Sequence, residues 1–148
     1  MLRRTHPHFK SACRCLGAAV MVLAAPSAHA DGVSVPEAAK FLLILAGSAG
    51  SEGRVACKEL DMVFQLKKQD ISVDAKANVA WSFTSDQTRF YAGQGKLVVC
   101  NNRKLFVDGG AIAFERIGGR LTIFVHQVNL GRSGITLPES FLRAAVKM

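Results

Sequence analysis

Short apolar runs, separated by glycine- and proline-containing turns, make up most of this chain after residue 36. Some runs have helical spacing, and others are brief, continuous stretches rich in β-branched and aromatic residues, as in buried strands. We predict helices over residues 37–46, 59–68, 84–92 and 139–147, a helical turn over 127–133, and strands over 54–57, 71–73, 78–83, 96–100, 111–115 and 121–125. The last two strands flank Gly118-Gly119 and form a predicted β-hairpin.

Local residues mark where these elements begin. Pro36 suits the first turn of a helix, with Ser34 as a candidate cap and Glu37 at the positive end. Thr84 or Ser85 is the candidate cap of the helix that ends near Gly93. In the second helix, helical spacing groups Leu60, Val63 and Phe64, with Lys67 as a possible fourth member, on the predicted inner face.

The order of the elements predicts the fold class. Helices and strands alternate through the first hundred residues, which favours a parallel sheet covered on both faces. We therefore predict an α/β fold: a single small three-layer domain with a mixed, mostly parallel sheet, a C-terminal β-hairpin and a terminal helix, over residues 31–148.

The first thirty residues have the layout of a secretory signal peptide. A basic head is followed by an apolar run from Leu16 to Ala25 and by the small-x-small triplet 28–30. We predict cleavage between Ala30 and Asp31, and export to the periplasm. Ten apolar residues extend about 15 Å as a helix, which is roughly half of a bilayer core, so a membrane anchor is the weaker interpretation.

Cleavage would change the charge of the chain. Four of the nineteen basic residues lie before residue 31, and all eleven acidic residues lie from Asp31 onward, so the formal charge falls from +8 to +4. The remaining basic residues are scattered, without the basic stripe and interleaved aromatic residues that single-stranded nucleic acid requires. We expect no nucleic-acid binding.

Cleavage would also leave two of the four cysteines, Cys57 and Cys100, in an oxidising compartment. Two alternatives remain open for them: a disulfide between strands that could lie side by side, or two buried free thiols. One remaining histidine, His126, and two distant cysteines make a poor zinc set, so we expect no metal or other cofactor. We interpret His126 as structural.

The residues themselves offer one site of chemical interest. Lys58, Arg103 and Lys104 follow predicted strand ends and could hold an anion in an α/β crevice. Trp81, together with the pair at 90–91, could instead form an exposed aromatic anchor, although core packing is the commoner role. No catalytic set is recognisable, and we expect no enzyme.

The C-terminal stretch resembles a known family. Residues 109–145 are similar to the end of YfiR/HmsC-like periplasmic proteins, where a glycine pair precedes an apolar strand and a Gly-Arg turn leads to a second strand. Matching positions are Gly109-Gly110, Ile112, Phe114, Gly119-Arg120, Phe124, residues 132–135, Leu137 and Leu142. The chain departs from the family at 47–50, where members have Trp-Pro, and at His126, where an asparagine is common.

The resemblance implies regulation rather than catalysis. The best-known members of the family repress an inner-membrane diguanylate cyclase by binding its periplasmic sensor domain, and an outer-membrane lipoprotein can sequester them. The resemblance therefore implies control of cyclic-di-GMP and biofilm formation, with disulfides and redox sensitivity in some members, and a homodimer is a further possibility. The alternative is a secreted small-ligand-binding protein or enzyme that uses the α/β crevice.

Overall fold

The computed structural model describes residues 32–148, and the predicted signal peptide with its cleavage site at Ala30–Asp31 lies outside them. The elements are α1 (Val35–Ser48), β1 (Arg54–Val55), α2 (Leu60–Lys67), β2 (Ser72–Val73), β3 (Val79–Ser82), α3 (Ser85–Gly93), β4 (Leu97–Cys100), a 3₁₀ helix (Arg103–Asp108), β5 (Ile112–Ile117), β6 (Arg120–Val125), α4 (Gln127–Ser133), α5 (Glu139–Ala144) and β7 (Val146–Lys147). The α/β fold is confirmed.

The sheet has the predicted mostly parallel character. β3, β4 and β5 are parallel, the β5–β6 hairpin is antiparallel, and β7 pairs parallel to β6 at the edge. The β1–β2 pair joins β3 through Ala56, whose N–H donates to the Val79 carbonyl and whose carbonyl accepts from the Trp81 N–H. The spatial order is thus β2-β1-β3-β4-β5-β6-β7.

Helices cover both faces of this sheet. One face packs against α1 and α2, and its core contains Val79, Leu97, Val99 and Phe114. Because successive strand residues alternate between faces, their neighbours point to the other side, where the core around Val98 packs against α3 and the 3₁₀ helix. This arrangement gives the three expected layers.

The predicted helix starts agree with the structure. The Glu37 carboxylate accepts hydrogen bonds from the N–H and hydroxyl of Ser34, which fixes the beginning of α1. The same carboxylate pairs with Arg116 on β5, and these contacts, led by the Ser34 hydroxyl, hold the pKa of Glu37 below its ordinary value. Thr84 caps α3 by accepting from the Gln87 N–H.

Two predictions about helices are wrong. α2 buries Met62 and Leu66, whereas Leu60 and Phe64 point to solvent, which reverses its predicted inner face. The terminal helix ends at Ala144 rather than 147, because the last residues add β7 to the sheet. Among residues 32–148, none of the helices is both long and apolar enough to cross a bilayer.

Candidate functional site

The carboxyl ends of the parallel strands define the edge of the sheet where α/β proteins usually bind their ligands. Residues 57–59 follow the β1 ladder, Phe83 and Thr84 follow β3, and Asn101 and Asn102 follow β4. The chain runs from β1 outward to β2, and from β3 in the opposite direction to β4. The β1–β3 boundary is therefore the point at which the strand order reverses.

Side-chain contacts fix the loops at this boundary. The Glu59 carboxylate accepts a hydrogen bond from the Trp81 indole N–H at 2.8 Å, which ties the β1–α2 loop to β3. The Lys58 ammonium lies 4.5 Å from the centre of the Phe90 ring on α3. A cation over a ring face in this range is attracted by the ring quadrupole. These contacts connect β1, β3 and α3 at one place.

Exposed apolar side chains surround this place. Leu60 is 82% exposed, Phe83 51% and Phe90 50%. We call these three residues and Lys58 the edge patch. Exposed aromatic and aliphatic side chains beside a cation are typical of a surface that binds another macromolecule. The edge patch thus supplies contact area rather than reactive groups.

A cavity of about 630 Å³, lined mainly by polar and charged residues, lies further along the same edge. It is lined by Gly32, Asn101, Asn102, Arg103, Lys104, Glu115 and Met148. Glu115 is buried, and its two carboxylate oxygens accept from the backbone N–H of Arg103 at 2.6 Å and from its Nε at 2.9 Å. The Arg103 guanidinium also lies 4.1 Å from the centre of the Phe124 ring.

The three cations proposed as an anion site are thus used differently. Lys58 lies on the Phe90 ring, and the charge of Arg103 is matched by Glu115. Lys104 is exposed and forms no ion pair with the residues that the structure describes. The cavity therefore has one cation available for an anion, together with asparagine amides.

In the structure, Cys57 and Cys100 are free thiols, which is one of the two alternatives for them. Cys57 packs against the core on the α1–α2 side, Cys100 belongs to the core on the α3 side, and both are free. β3 lies between their strands, so the expectation that these strands lie side by side is wrong. Two strand spacings of roughly 4.8 Å exceed the Cα separation that a disulfide spans.

Burial also makes these thiols poor nucleophiles. Desolvation raises the pKa of Cys57 to about 11 and that of Cys100 to about 12. Since the thiolate is the reactive form, neither group is activated at neutral pH. Within residues 32–148, no group of three His, Cys, Asp or Glu side chains is placed to hold a metal ion.

The remaining candidates have structural positions. His126 caps α4 through Nδ1, which accepts from the Asn129 N–H, and its ring lies against Phe106. Trp81 and Tyr91 are buried, so Phe90 alone of the proposed aromatic anchor is exposed.

Sequence reasoning missed Leu60 and Phe83 as members of the edge patch. Leu60 belongs to the helical stripe that also contains Lys67. Met62 and Leu66, which are four residues apart, form an alternative apolar stripe that contains no charged residue. The lysine was the available signal that the first stripe faces solvent. Phe83 directly follows the buried strand β3 and is the first residue of the loop after it.

Comparison with known proteins supports the fold but indicates no function. No protein-family model matches the chain, and a search of curated proteins finds no match. A crystal structure of a conserved domain protein from Vibrio cholerae O1 biovar El Tor strain N16961 is similar, with a TM-score of 0.58 and 10% sequence identity. The similarity covers 76% of this chain and 59% of that one, so this chain spans less than two thirds of its neighbour.

Proposed function

We propose that this chain is an exported, non-catalytic regulator that binds the periplasmic sensor domain of an inner-membrane diguanylate cyclase and represses it. The resemblance of residues 109–145 to YfiR/HmsC-like proteins motivates the choice of partner. Cyclic-di-GMP concentration and biofilm formation would then be the downstream readouts, and an outer-membrane lipoprotein could act as a sequestering partner.

The observation that carries a binding function is the edge patch. Its apolar members lie at the strand-order reversal, and two aromatic rings there are about half exposed. Interface hot spots are enriched in aromatic residues and gain most when a partner excludes water from them. The two thiols, by contrast, are held in the unreactive protonated form.

The test compares a patch variant with a matched control in a strain that lacks the gene. The variant carries Phe83→Ser and Phe90→Ser, and the control carries Val107→Ser and Val128→Ser, which are also exposed apolar positions but lie outside the edge patch. We expect deletion to raise cyclic-di-GMP and biofilm, and the wild type and the control to restore both to low values. The patch variant should fold normally, as judged by thermal unfolding, and should fail to restore them.

A photo-crosslinking amino acid at position 83 would identify the partner directly, and we expect it to capture the cyclase. Unchanged cyclic-di-GMP in the deletion strain would contradict the proposed regulation. If the patch variant and the control complement the deletion equally, the proposed regulation would still stand, but the edge patch would not be the surface that mediates it.

The cavity around Glu115 favours a second candidate function, the binding of a small anionic ligand at the same edge of the sheet. Lys104, Asn101 and Asn102 would contact the anion, while the Arg103–Glu115 pair would shape the wall. A thermal-shift screen of anionic metabolites tests this. A stabilising hit that is lost in Lys104→Gln supports it, and a screen without hits opposes it.

A further inference from the structure

The outer surface of α1 and α2 combines exposed apolar side chains with unpaired lysines. Residues 40, 43, 44 and 47 follow helical spacing along the side of α1 opposite its buried face. Ile44 is 56% exposed and Phe64, on α2, is 57% exposed. The two helices pack side by side on one face of the sheet. We call Lys40, Leu43, Ile44, Phe64, Lys67 and Lys68 the lysine-rimmed face.

The charges of this face have one sign. Lys40, Lys67 and Lys68 are exposed and form no ion pair with any described residue. The acid of α1, Glu37, is engaged by Ser34 and Arg116. Asp61 is the acidic residue of α2, so the face as a whole is positive.

The lysines and the apolar groups are interleaved rather than separated. The Lys68 ammonium lies 4.3 Å from the centre of the Phe64 ring, one helical turn away. Long lysine side chains can lay their methylene stems along apolar surface and keep the charged group in water. An apolar stripe with lysines at its margins is the pattern of helices that lie in the interface of a bilayer.

We propose that the lysine-rimmed face adsorbs to an anionic membrane surface. Phe64, Ile44 and Leu43 would enter the boundary between headgroups and acyl chains, and the three lysines would contact the phosphates. A second copy of this chain does not fit the face, because a two-fold interface would bring two positively charged faces together. An acidic protein is the competing occupant, and the experiment separates it from lipid.

Vesicle flotation with residues 31–148, which contain every element described, tests the proposal. We expect binding to vesicles of equal parts phosphatidylcholine and phosphatidylglycerol, little binding to phosphatidylcholine alone, and release at high salt. Each lysine near an anionic surface contributes about fivefold to partitioning, so Lys67→Gln with Lys68→Gln should weaken binding about 25-fold. The charge-matched control carries Arg120→Gln and Lys147→Gln, which are exposed elsewhere.

A second variant removes the apolar part without changing charge. Ile44→Ser with Phe64→Ser should weaken vesicle binding severalfold, while circular dichroism and thermal unfolding remain as in the wild type. Absence of binding to anionic vesicles would overturn the proposal. Equal weakening by the test pair and the control pair of substitutions would also overturn it, because vesicle binding would then depend on the net charge of the protein and not on this face. Crosslinking from position 64 to an acidic protein, without vesicle binding, would assign the face to that protein instead.

Discussion

Substitution of Gly110 by alanine should destabilise the protein strongly, because a Cβ at this position has no space. It would lie closer than 3.0 Å to the Sγ of Cys100 and 3.0 Å from the carbonyl oxygen of Leu105. The backbone cannot move away easily, since the Gly110 N–H donates to that same carbonyl and its own carbonyl accepts from the Asn129 amide at 2.7 Å. Overpacking of a core typically costs 1–3 kcal/mol, and we expect about 2–3 kcal/mol here.

The Cys100 thiol provides an internal check on this cause. Cys100→Ala alone should cost about 1–2 kcal/mol through lost burial and a small cavity. In that background the added methyl of Gly110→Ala enters the vacated space, so its cost should fall to about 1 kcal/mol. The two sites should therefore couple by about 1–2 kcal/mol in a double-mutant cycle.

Urea unfolding of the four proteins, followed by circular dichroism, measures this coupling. Gly131→Ala is the control, because it lies inside α4 with open space around its Cβ and should stabilise by about 0.5–1 kcal/mol. If Gly110→Ala costs the same with and without Cys100, the contact with sulfur is not the cause, and the reasoning from close approach fails.

Three further predictions concern buried and paired groups. The thiols of Cys57 and Cys100 in the processed chain should react slowly with Ellman's reagent at pH 8, because burial raises their pKa values to about 11 and about 12, well above that pH. Unfolding in guanidinium should then give two equivalents, and no reaction without reductant would reveal a disulfide. Asn129→Ala should cost about 1–3 kcal/mol in urea unfolding, since two buried carbonyls lose their donor, and a cost near zero would contradict this. The hydrogen bond from Arg89 holds the pKa of Asp108 below its ordinary value, so the stability from this pair is present at neutral pH and lost as pH falls below about 4 through the folded pKa. Asp108→Asn should thus lower the unfolding temperature at pH 7 and move toward the wild type as the pH falls below about 4, and a constant difference would refute it.

The sequence predicted those parts of the fold that depend on neighbouring residues. The capping of α1 by Ser34 and Glu37, the capping of α3 by Thr84 and the end of α3 at Gly93 all rest on groups a few residues apart. The fully buried strand Leu97–Cys100 was recognisable because all four residues are apolar. Such signals do not depend on how distant segments meet.

Features that depend on distant segments could not be predicted. Whether Cys57 and Cys100 meet is decided by β3, which inserts between their strands through hydrogen bonds at Ala56. The final strand forms because β6 offers an unpaired edge to Val146 and Lys147, although the local pattern favours a helix. Likewise, Glu115 could be recognised as a site residue only from the fold, which places Arg103 beside it.

The edge patch and the lysine-rimmed face adjoin, so adsorption through one surface would position the other. Leu60 of the edge patch and Phe64 of the lysine-rimmed face are one turn apart on α2, so they share one side of that helix. A chain adsorbed through α1 and α2 would hold its edge patch close to the membrane surface, where the sensor domain of an inner-membrane cyclase lies. Confinement to a surface raises the effective concentration of the two partners without any new contact between them. Loss of Lys67 and Lys68 should therefore weaken the proposed repression of the cyclase in cells while leaving the affinity of the edge patch for the isolated sensor domain unchanged.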